Sequence, residues 1–355
     1  MDFGLFNLMT QRDAGVGVQQ VVEDAKAMTR LADEIGFGTA WFAEHHFSNY
    51  SVCPSPLMMA AHCAGLTKTI RLGAAVLVLP LYDPLRLVQE IGLLDRVSGG
   101  RVAIGIGSGY QRFEFERYGR PLEEKQALFL EIWDILDQAL GEGRLQHSGA
   151  HFQIPESPIA MTPAAPPPLY VTGLAPTVLD RALASGATPF ITGGARGLPA
   201  LRGMREAVVE AAHRIGLADP DRPPLAMQQY VFVTDDKAEA REVAERARYI
   251  GRVVSAMRAG VPSLDGPFIL AEATNDEPSL EAIEDALVIG DAETVAEKMA
   301  AEIAELRPSH YSCFMQIASM PGAQALASLE KFGADVMPKL ERALGPLDEI
   351  GRKAA

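Results

Sequence analysis

The run Glu44-His45-His46-Phe47 holds the side chains of this 355-residue sequence that could most directly do chemistry. It follows residues 39–43, an apolar run that is long enough for a buried strand and too short for a helix. Histidine is the side chain that most often moves protons in catalysis, because the ordinary pKa of an imidazole lies near neutrality. A strand that ends in such groups is typical of an α/β barrel, which presents its catalytic residues at the C-terminal ends of its strands. Two structural histidines would give the same pattern, so the pair alone leaves both interpretations open.

Three other stretches place small residues where a strand could end. Residues 105–109 read Gly-Ile-Gly-Ser-Gly, which lacks the third glycine of a dinucleotide fingerprint but lets a ligand approach backbone N–H groups. Residues 172–177 read Thr-Gly-Leu-Ala-Pro-Thr, and the proline marks a helix start, where a phosphate binds well. Residues 73–80 set small side chains beside bulky ones, as expected where a flat ligand lies on a strand. The alternatives are a tight turn for residues 105–109, an ordinary loop for residues 172–177 and core packing for residues 73–80.

The rest of the chain supplies the elements that would position these groups. Strand-like runs begin near residues 2, 39, 70, 102, 169, 189, 225 and 310, and helical periodicity follows each of them. Repeated strand–helix units imply parallel strands with right-handed crossovers, and eight of them predict an α/β fold, a (β/α)8 TIM barrel. A doubly wound sheet is disfavoured because nothing divides the chain into halves. We expect a single domain over residues 1–355, with an irregular insertion at about 141–168 and a lid loop at about 262–284.

Composition and charge exclude several kinds of partner. The chain has 32 Lys and Arg against 46 Asp and Glu, a net charge of −14, which argues against nucleic acid or an anionic membrane. Its three cysteines, Cys53, Cys63 and Cys313, follow no ligand or disulfide spacing, so we expect no metal site and a reducing compartment. We see neither a signal peptide at the N-terminus nor an apolar run long enough to span a membrane. These features predict a soluble, cytoplasmic protein.

Taken together and in this order, these stretches resemble the bacterial luciferase-like flavin-dependent monooxygenases. The matching residues extend over nearly the whole chain and are densest in its first third. They are Phe3, Gly4, Phe6, Gly36, Phe37, Trp41, the run Glu44-His45-His46-Phe47, Ala60, Ala61, His62, Thr67, Lys68, Thr69, Gly73, Val78, Leu79, Pro80, Pro84, Leu94, Asp95, Gly100, Arg101, Gly105, Tyr170, Val171 and the run Asp335-Val336-Met337-Pro338.

The resemblance implies a TIM-like barrel that binds reduced FMN, received from a partner flavin reductase, and uses O2 to oxygenate an organic substrate through a C4a-peroxyflavin. His45 would be the catalytic base, and Glu44 would orient the cofactor or the imidazole. The resemblance also implies a non-proline cis peptide bond at Ala75–Val76, beneath the flavin ring. Apolar walls would shield the reaction from water, so we expect a small apolar substrate.

The remaining site residues fall in the stretches described above. The predicted cofactor-binding residues are Ala75, Val76, Gly107, Ser108, Gly109, Tyr110, Thr172, Gly173, Leu174 and Ala175. The predicted substrate-binding residues are Phe6, Leu8, His46 and Phe47. Luminous relatives have a Cys and an Arg where this chain has Gly107 and Ser108, and their phosphate loop is more polar. Phosphate would therefore be held by Ser108, Thr177 and backbone N–H groups, with Arg112 or Lys125 to compensate.

Two other activities stay open. Relatives on the same barrel use a deazaflavin for dehydrogenation or reduction, and others bind a flavin without turnover. Relatives also associate through helices early in the barrel. Here residues 55–66 and 84–97 lack a wide charged stripe, so we expect a homodimer, or a heterodimer with a related chain.

Overall fold

A computed structural model describes residues 1–274 and 277–350 of the chain. Its strands are β1 (Asp2–Asn7), β2 (Thr39–Phe42), β3 (Arg71–Val78), β4 (Val102–Gly107), β5 (Arg144–Ser148), β6 (Gln153–Pro158), β7 (Leu169–Val171), β8 (Thr188–Thr192), β9 (Ala226–Val233), β10 (Leu264–Asp265), β11 (Phe268–Ile269), β12 (Val288–Gly290) and β13 (His310–Phe314). Its α-helices are α1 (Val18–Glu34), α2 (Pro56–Ala64), α3 (Pro84–Ser98), α4 (Arg112–Arg117), α5 (Lys125–Glu142), α6 (Pro176–Ala184), α7 (Gly197–Arg214), α8 (Lys237–Ala259), α9 (Leu280–Ala286), α10 (Ala292–Leu306), α11 (Gly322–Lys331) and α12 (Met337–Leu344). No helix among the described residues is long and apolar enough to cross a membrane.

Eight parallel strands close into a barrel, in the order β9, β13, β1, β2, β3, β4, β7 and β8, with β8 paired back to β9. This confirms the predicted (β/α)8 TIM barrel, and each barrel strand begins within one residue of its predicted start. A further strand, β12, lies parallel to the end of β9. Two helix starts have side-chain caps, since Ser55 Oγ accepts from Met58 N at 3.3 Å and Asp83 Oδ1 accepts from Arg86 N at 2.9 Å.

The barrel interior is filled near the N-terminal ends of the strands. Trp41 Nε1 donates to His310 Nε2 at 2.8 Å, and His310 Nδ1 lies 2.8 Å from Asp2 Oδ1. The indole needs space on both sides, because a Cβ at Gly4 would lie 3.0 Å from Trp41 Nε1 and one at Gly73 only 2.6 Å from its ring. This plug closes the lower barrel, so a ligand can enter only from the C-terminal face.

Two regions that the sequence suggests are irregular contain regular structure. Within residues 141–168, β5 and β6 form an antiparallel hairpin. Each of its strands buries mainly one apolar residue, Leu145 or Ile154, which is too little to produce a visible alternation in the sequence. Within residues 262–284 lie the β10–β11 hairpin and the start of α9. Residues 275 and 276 of that predicted lid lie outside the described residues, and its mobility stays a prediction.

The long helix α8 is the larger cover of the C-terminal face. Arg246 Nη1 donates to Ala318 O at 2.8 Å, and the OH of Tyr249 accepts from Asn49 Nδ2 at the same distance. Ala318 and Asn49 follow β13 and β2, so α8 lies across the ends of these strands. Asn49 also holds the β10–β11 hairpin, since Asn49 N donates to Pro267 O at 2.8 Å and Ile269 N donates to Asn49 Oδ1 at 2.9 Å. The cover therefore begins before the predicted lid and includes a whole helix.

Candidate active site

Glu44 anchors the loop that follows β2. Its side chain is 1% exposed, and Oε1 lies 2.9 Å from His46 Nε2. Oε2 accepts from the backbone N–H of Val78 at 3.0 Å and from the hydroxyl of Tyr82 at 2.8 Å. Burial, together with this carboxylate, raises the pKa of Tyr82 well above its ordinary value, so Tyr82 stays a donor. Glu44 thus joins the end of β2 to the end of β3.

His45 is held by two residues of the segment after β4. Its Nδ1 lies 2.7 Å from Gln111 Nε2 and 3.3 Å from Glu114 Oε1. The same Glu114 oxygen accepts from the backbone N–H of His46 at 2.8 Å. The Oε1 atom of Gln111 is buried without a partner. In the exchanged orientation of the Gln111 amide, Oε1 would accept from Nδ1–H of His45.

Glu44 makes no contact with the imidazole of His45 among the described residues, and its predicted role in orienting the cofactor stays a prediction. The carboxylate beside His45 is Glu114, and Glu44 binds His46 instead, because side chains at adjacent loop positions point in different directions. Sequence analysis did not single out Gln111 and Glu114. The signal available was a pair of polar residues four and seven positions after the end of β4, with buried Phe113 between them. Nε2 of His45 has no hydrogen bond within residues 1–274 and 277–350, and the side chain is 14% exposed, so this nitrogen is the one available to a ligand.

A tyrosine cluster lies beside His45. The ring of Tyr50 is 4.5 Å from the imidazole and that of Tyr110 is 6.2 Å from it, centroid to centroid. Burial raises the pKa of Tyr110 to about 12 and raises that of Tyr50 well above its ordinary value, so both hydroxyls stay protonated. The guanidinium of exposed Arg258, from the last turn of α8, lies 5.7 Å from the Tyr110 ring. The Tyr110 side chain thus faces the imidazole, although its backbone belongs to the predicted cofactor loop.

The predicted cofactor-binding residues come together at three neighbouring strand ends. The Ala75–Val76 peptide bond is cis, which confirms that prediction. Both residues are partly exposed in a strand whose next residues are buried, so this part of β3 borders open space. A Cβ on Gly107 would lie 2.7 Å from both Thr172 Oγ1 and Val76 Cγ2, which shows how closely β3, β4 and β7 approach. Glycine at 107 is what permits this close approach of the three strands.

The N-terminus of α6 has the features of an anion site. Gly173, Leu174 and Ala175 are exposed. In the first turn of the helix Pro176 has no N–H, and Val178 N and Leu179 N donate to Ala175 O, so the N–H of Thr177 is the one in this turn that a ligand could use. Lys125 Nζ donates to Gly109 O at 3.0 Å, and burial lowers the pKa of this lysine, so a nearby anion would stabilise its charge. Arg112 is already paired with Glu123 at 2.9 Å. Of the two cations predicted to compensate at the phosphate site, Lys125 is therefore the one available to bind an anion.

The predicted substrate residues divide into two groups. Phe6 is partly buried and packs edge-on against Phe314 at 5.4 Å, in the upper barrel. Leu8 is 3% exposed and belongs to the hydrophobic core, directly after the end of β1, and its place in the substrate wall stays a prediction. Phe47 is 48% exposed, and its ring centroid lies 5.4 Å from that of Tyr118. The Tyr118 hydroxyl in turn lies 3.0 Å from Nδ1 of His46.

Comparison with known proteins gives a family and several full-length relatives. The family described as luciferase-like monooxygenase matches residues 1–310. The uncharacterized protein y4vJ of Sinorhizobium fredii is 36% identical over 97% of this chain and 99% of its own. The oxygenase component of the flavin-dependent trigonelline monooxygenase of Acinetobacter baylyi is 27% identical over 95% of each chain.

Solved structures show the same fold in enzymes with two kinds of cofactor. The oxygenating constituent of 3,6-diketocamphane monooxygenase from Pseudomonas putida, in complex with FMN, has a TM-score of 0.75 and 23% identity over 96% of this chain and 99% of its own. An F420-dependent secondary alcohol dehydrogenase has a TM-score of 0.75 and 18% identity over 96% of this chain and 98% of its own. At these identities the likeness concerns the fold alone.

Proposed function

The chain belongs to the luciferase-like monooxygenase family, and we propose that it is the oxygenase component of a two-component flavin system. It would receive reduced FMN from a separate reductase and act on a small apolar organic substrate. Bound reduced FMN would supply the two electrons with which one oxygen atom of O2 enters the substrate and the other leaves as water. The named relative from Acinetobacter baylyi, an oxygenase component, supports the two-component assignment.

The observation that carries this proposal is the position of His45. Nδ1 of its imidazole is held by Gln111 and Glu114, while Nε2 has no partner among the described residues. The neighbouring strand ends place Ala75 and Val76 beside open space and Gly107 where β4 approaches β3 and β7 closely, and we expect the flavin ring to lie there. A held imidazole with one free nitrogen can give or take a proton without changing its orientation.

The phosphate end of FMN would lie between residues 108–110 and the N-terminus of α6. The phosphate would accept from backbone N–H groups of these two loops, and the helix dipole favours a dianion. Lys125 supplies the nearby positive charge. Since a single half-buried cation serves this site, we expect a modest affinity, which suits a flavin that arrives from a reductase and leaves again. Titration of FMN by fluorescence with Ser108→Ala, Gly173→Asp and Lys125→Ala measures this placement, and unchanged affinity in all three variants would refute it.

The cover over the C-terminal face would keep water out. The α8 helix and the β10–β11 hairpin lie over strand ends that include aromatic residues of the upper barrel. Excluding water favours oxygen transfer over the release of hydrogen peroxide. The buried hydroxyls of Tyr50 and Tyr110 complete this side of the site without adding charge.

A deazaflavin-dependent oxidoreductase is the second candidate, because an F420-dependent dehydrogenase shares the fold at the same TM-score as the FMN enzyme. Titration with both reduced cofactors under anaerobic conditions separates the two proposals. Tighter binding of the reduced deazaflavin, with O2-independent turnover, would favour this second candidate. A flavin-binding protein without turnover is the third, and it would bind FMN but form no product.

The decisive experiment supplies reduced FMN through a reductase and NADH, and screens a panel of aldehydes, ketones, terpenes, sulfur compounds and aromatics for oxygenated products. The His45→Ala variant should keep its fold and flavin binding while turnover falls at least about a hundredfold, the usual contribution of a general acid–base group. The exposed His62 gives the matched control, since His62→Ala should retain wild-type turnover. Near wild-type oxygenation by the His45 variant would refute the role of this residue.

A further inference from the structure

A row of three polar side chains crosses the inside of the barrel. Thr192 on β8 pairs in register with Gln228 on β9, and Gln228 pairs with Ser312 on β13. We infer that this row, Thr192–Gln228–Ser312, is a binding site for the amide-like edge of a bound ligand, a neutral planar group with adjacent hydrogen-bond donors and acceptors. The inference rests on the proposed function, which it deepens by assigning residues that recognise the ligand inside the barrel.

The direction of these side chains follows from their neighbours along the strands. Gln229 Nε2 and the hydroxyl of Tyr311 both donate to Glu302, on helix α10 outside the barrel, at 2.8 and 2.6 Å. Because successive side chains in a strand point to opposite faces, Gln228 and Ser312 face inward. Phe190 and Ala226 pack with Trp41 in the barrel interior. They lie two positions before Thr192 and Gln228 on the same strands, so Thr192 and Gln228 also face inward.

Two residues of the row, Ser312 and Gln228, have hydrogen-bonding capacity that the described parts of the protein do not use, whereas Thr192 Oγ1 accepts from Gly194 N at 3.4 Å. Ser312 is completely buried and its Oγ has no partner. Gln228 is 7% exposed, and its side-chain amide makes no hydrogen bond within the described parts of the chain. Buried polar groups are almost always paired, because an unpaired one loses its bonds to water without replacement. The Ser312 hydroxyl is such a group, and the unpaired amide of Gln228 lies beside it, so together they offer a ligand both donors and acceptors.

A ligand can reach the row from the C-terminal face. Thr192 is exposed at the end of β8, and Phe6 and Ala75 are partly exposed on β1 and β3. Below the row, the plug of Trp41 and His310 closes the barrel. A planar ligand lying against Ala75 can thus extend one edge toward Gln228 and Ser312.

The chemistry of the row selects a neutral group. It contains two hydroxyls and one carboxamide, and no charged side chain, so an anion would find weak donors and a cation no countercharge. An amide, lactam or imide matches a carboxamide with paired donor and acceptor. Two sources have this chemistry: the pyrimidine edge of the flavin itself, and an amide-bearing substrate.

The experiment compares FMN with its N3-methyl derivative, which lacks the imide donor, by fluorescence titration of the full-length chain. If the flavin edge binds here, the wild type should prefer FMN by about tenfold, the effect of one hydrogen bond, and Gln228→Leu should reduce this preference to about twofold or less. If the wild type binds both flavins equally, a second titration with 2-pyrrolidinone at saturating FMN tests the substrate source. Binding by the wild type and not by Gln228→Leu would assign the row to the substrate.

A matched pair of buried serines tests the alternative that ordered water fills the row. Ser328 Oγ accepts from Val233 N at 2.8 Å outside the barrel, whereas Ser312 Oγ has no protein partner. Ser328→Ala should therefore lower the melting temperature of the ligand-free protein, and Ser312→Ala should leave it unchanged. A decrease in both, with no effect of Gln228→Leu on either ligand, would overturn the inference. Repeating the N3-methyl comparison with a 5-deazaflavin, which has the same imide edge, distinguishes a failure of this inference from a failure of the FMN assignment.

Discussion

The buried carboxylate of Glu114 should hold His45 and His46 in place, and the loss of stability in the variant Glu114→Ala tests this. The side chain is 2% exposed, and its Oε1 accepts the His46 N–H at 2.8 Å while lying 3.3 Å from Nδ1 of His45. Removing it takes away a hydrogen bond to a charged acceptor, about 1.5–3 kcal/mol, and leaves a buried N–H without a partner, about 1–3 kcal/mol. These contributions overlap, so we expect a loss of about 3 kcal/mol in the free energy of unfolding.

The expected change in melting temperature follows from the size of the chain. An unfolding entropy of about 2.1 cal/mol/K per residue gives about 750 cal/mol/K for 355 residues, so each 1 kcal/mol corresponds to about 1.3 °C. Glu114→Ala should therefore lower the melting temperature by about 4 °C in calorimetry. Glu116 on the same helix gives the matched control, since its side chain is 54% exposed and lies 4.0 Å from Arg112. Glu116→Ala should change stability by less than about 0.5 kcal/mol.

A conservative variant separates stability from the orientation of the imidazole. Glu114→Gln keeps an oxygen that can accept from His46 N–H, so most of the stability should return. The amide changes what faces Nδ1 of His45, and ¹⁵N NMR of the histidine rings, assigned with His45→Ala, should report a changed tautomer population. Equal stability of Glu114→Ala and Glu116→Ala, or an unchanged His45 signal in Glu114→Gln, would refute the reasoning.

Three further predictions follow from other contacts. The exposed apolar side chains of α2 and α3 should form a dimer interface, so Leu93→Glu should yield monomers in sedimentation at micromolar concentration; a wild-type monomer would contradict the dimer. Asn49→Ala should speed amide exchange in residues 263–270, measured by mass spectrometry, because the hairpin loses its side-chain anchor, and unchanged protection would exclude that role. Burial raises the pKa of Asp33, but hydrogen bonds from the Thr69 hydroxyl and from three backbone N–H groups outweigh this and hold the pKa at about 2, below its ordinary 3.8. Because folding lowers this pKa, Asp33 stabilises the folded protein above about pH 4, and this contribution is lost toward pH 2. After discounting for solvent screening, Asp33→Asn should cost about 1 kcal/mol in urea unfolding at pH 7 and little at pH 2, and an equal loss at both pH values would contradict this.

The sequence determined the barrel because its signals are local. Each barrel strand is a short apolar run followed by helical periodicity, and caps such as Ser55 and Asp83 fix helix starts from neighbouring residues alone. The motif at residues 44–47 likewise lies at the end of a strand, so its place on the catalytic face follows from the general architecture of the barrel. The cis peptide bond at Ala75–Val76 came from the family resemblance, and no periodicity would have indicated it.

Only the tertiary structure decided which residues touch. Glu44 and His45 are adjacent in sequence, yet His45 meets Gln111 and Glu114, which are separated from it by about two strand–helix units. Distances across the barrel decide which buried polar groups form hydrogen bonds. The spacing of residues along the chain does not give these distances. For the same reason the sequence does not decide whether Leu8 belongs to a substrate wall or to the core, since its apolar side chain fits both. The sequence also does not distinguish Gln228 from Gln229. Only the closed sheet does so, because it turns Gln229 outward to Glu302 and Gln228 inward.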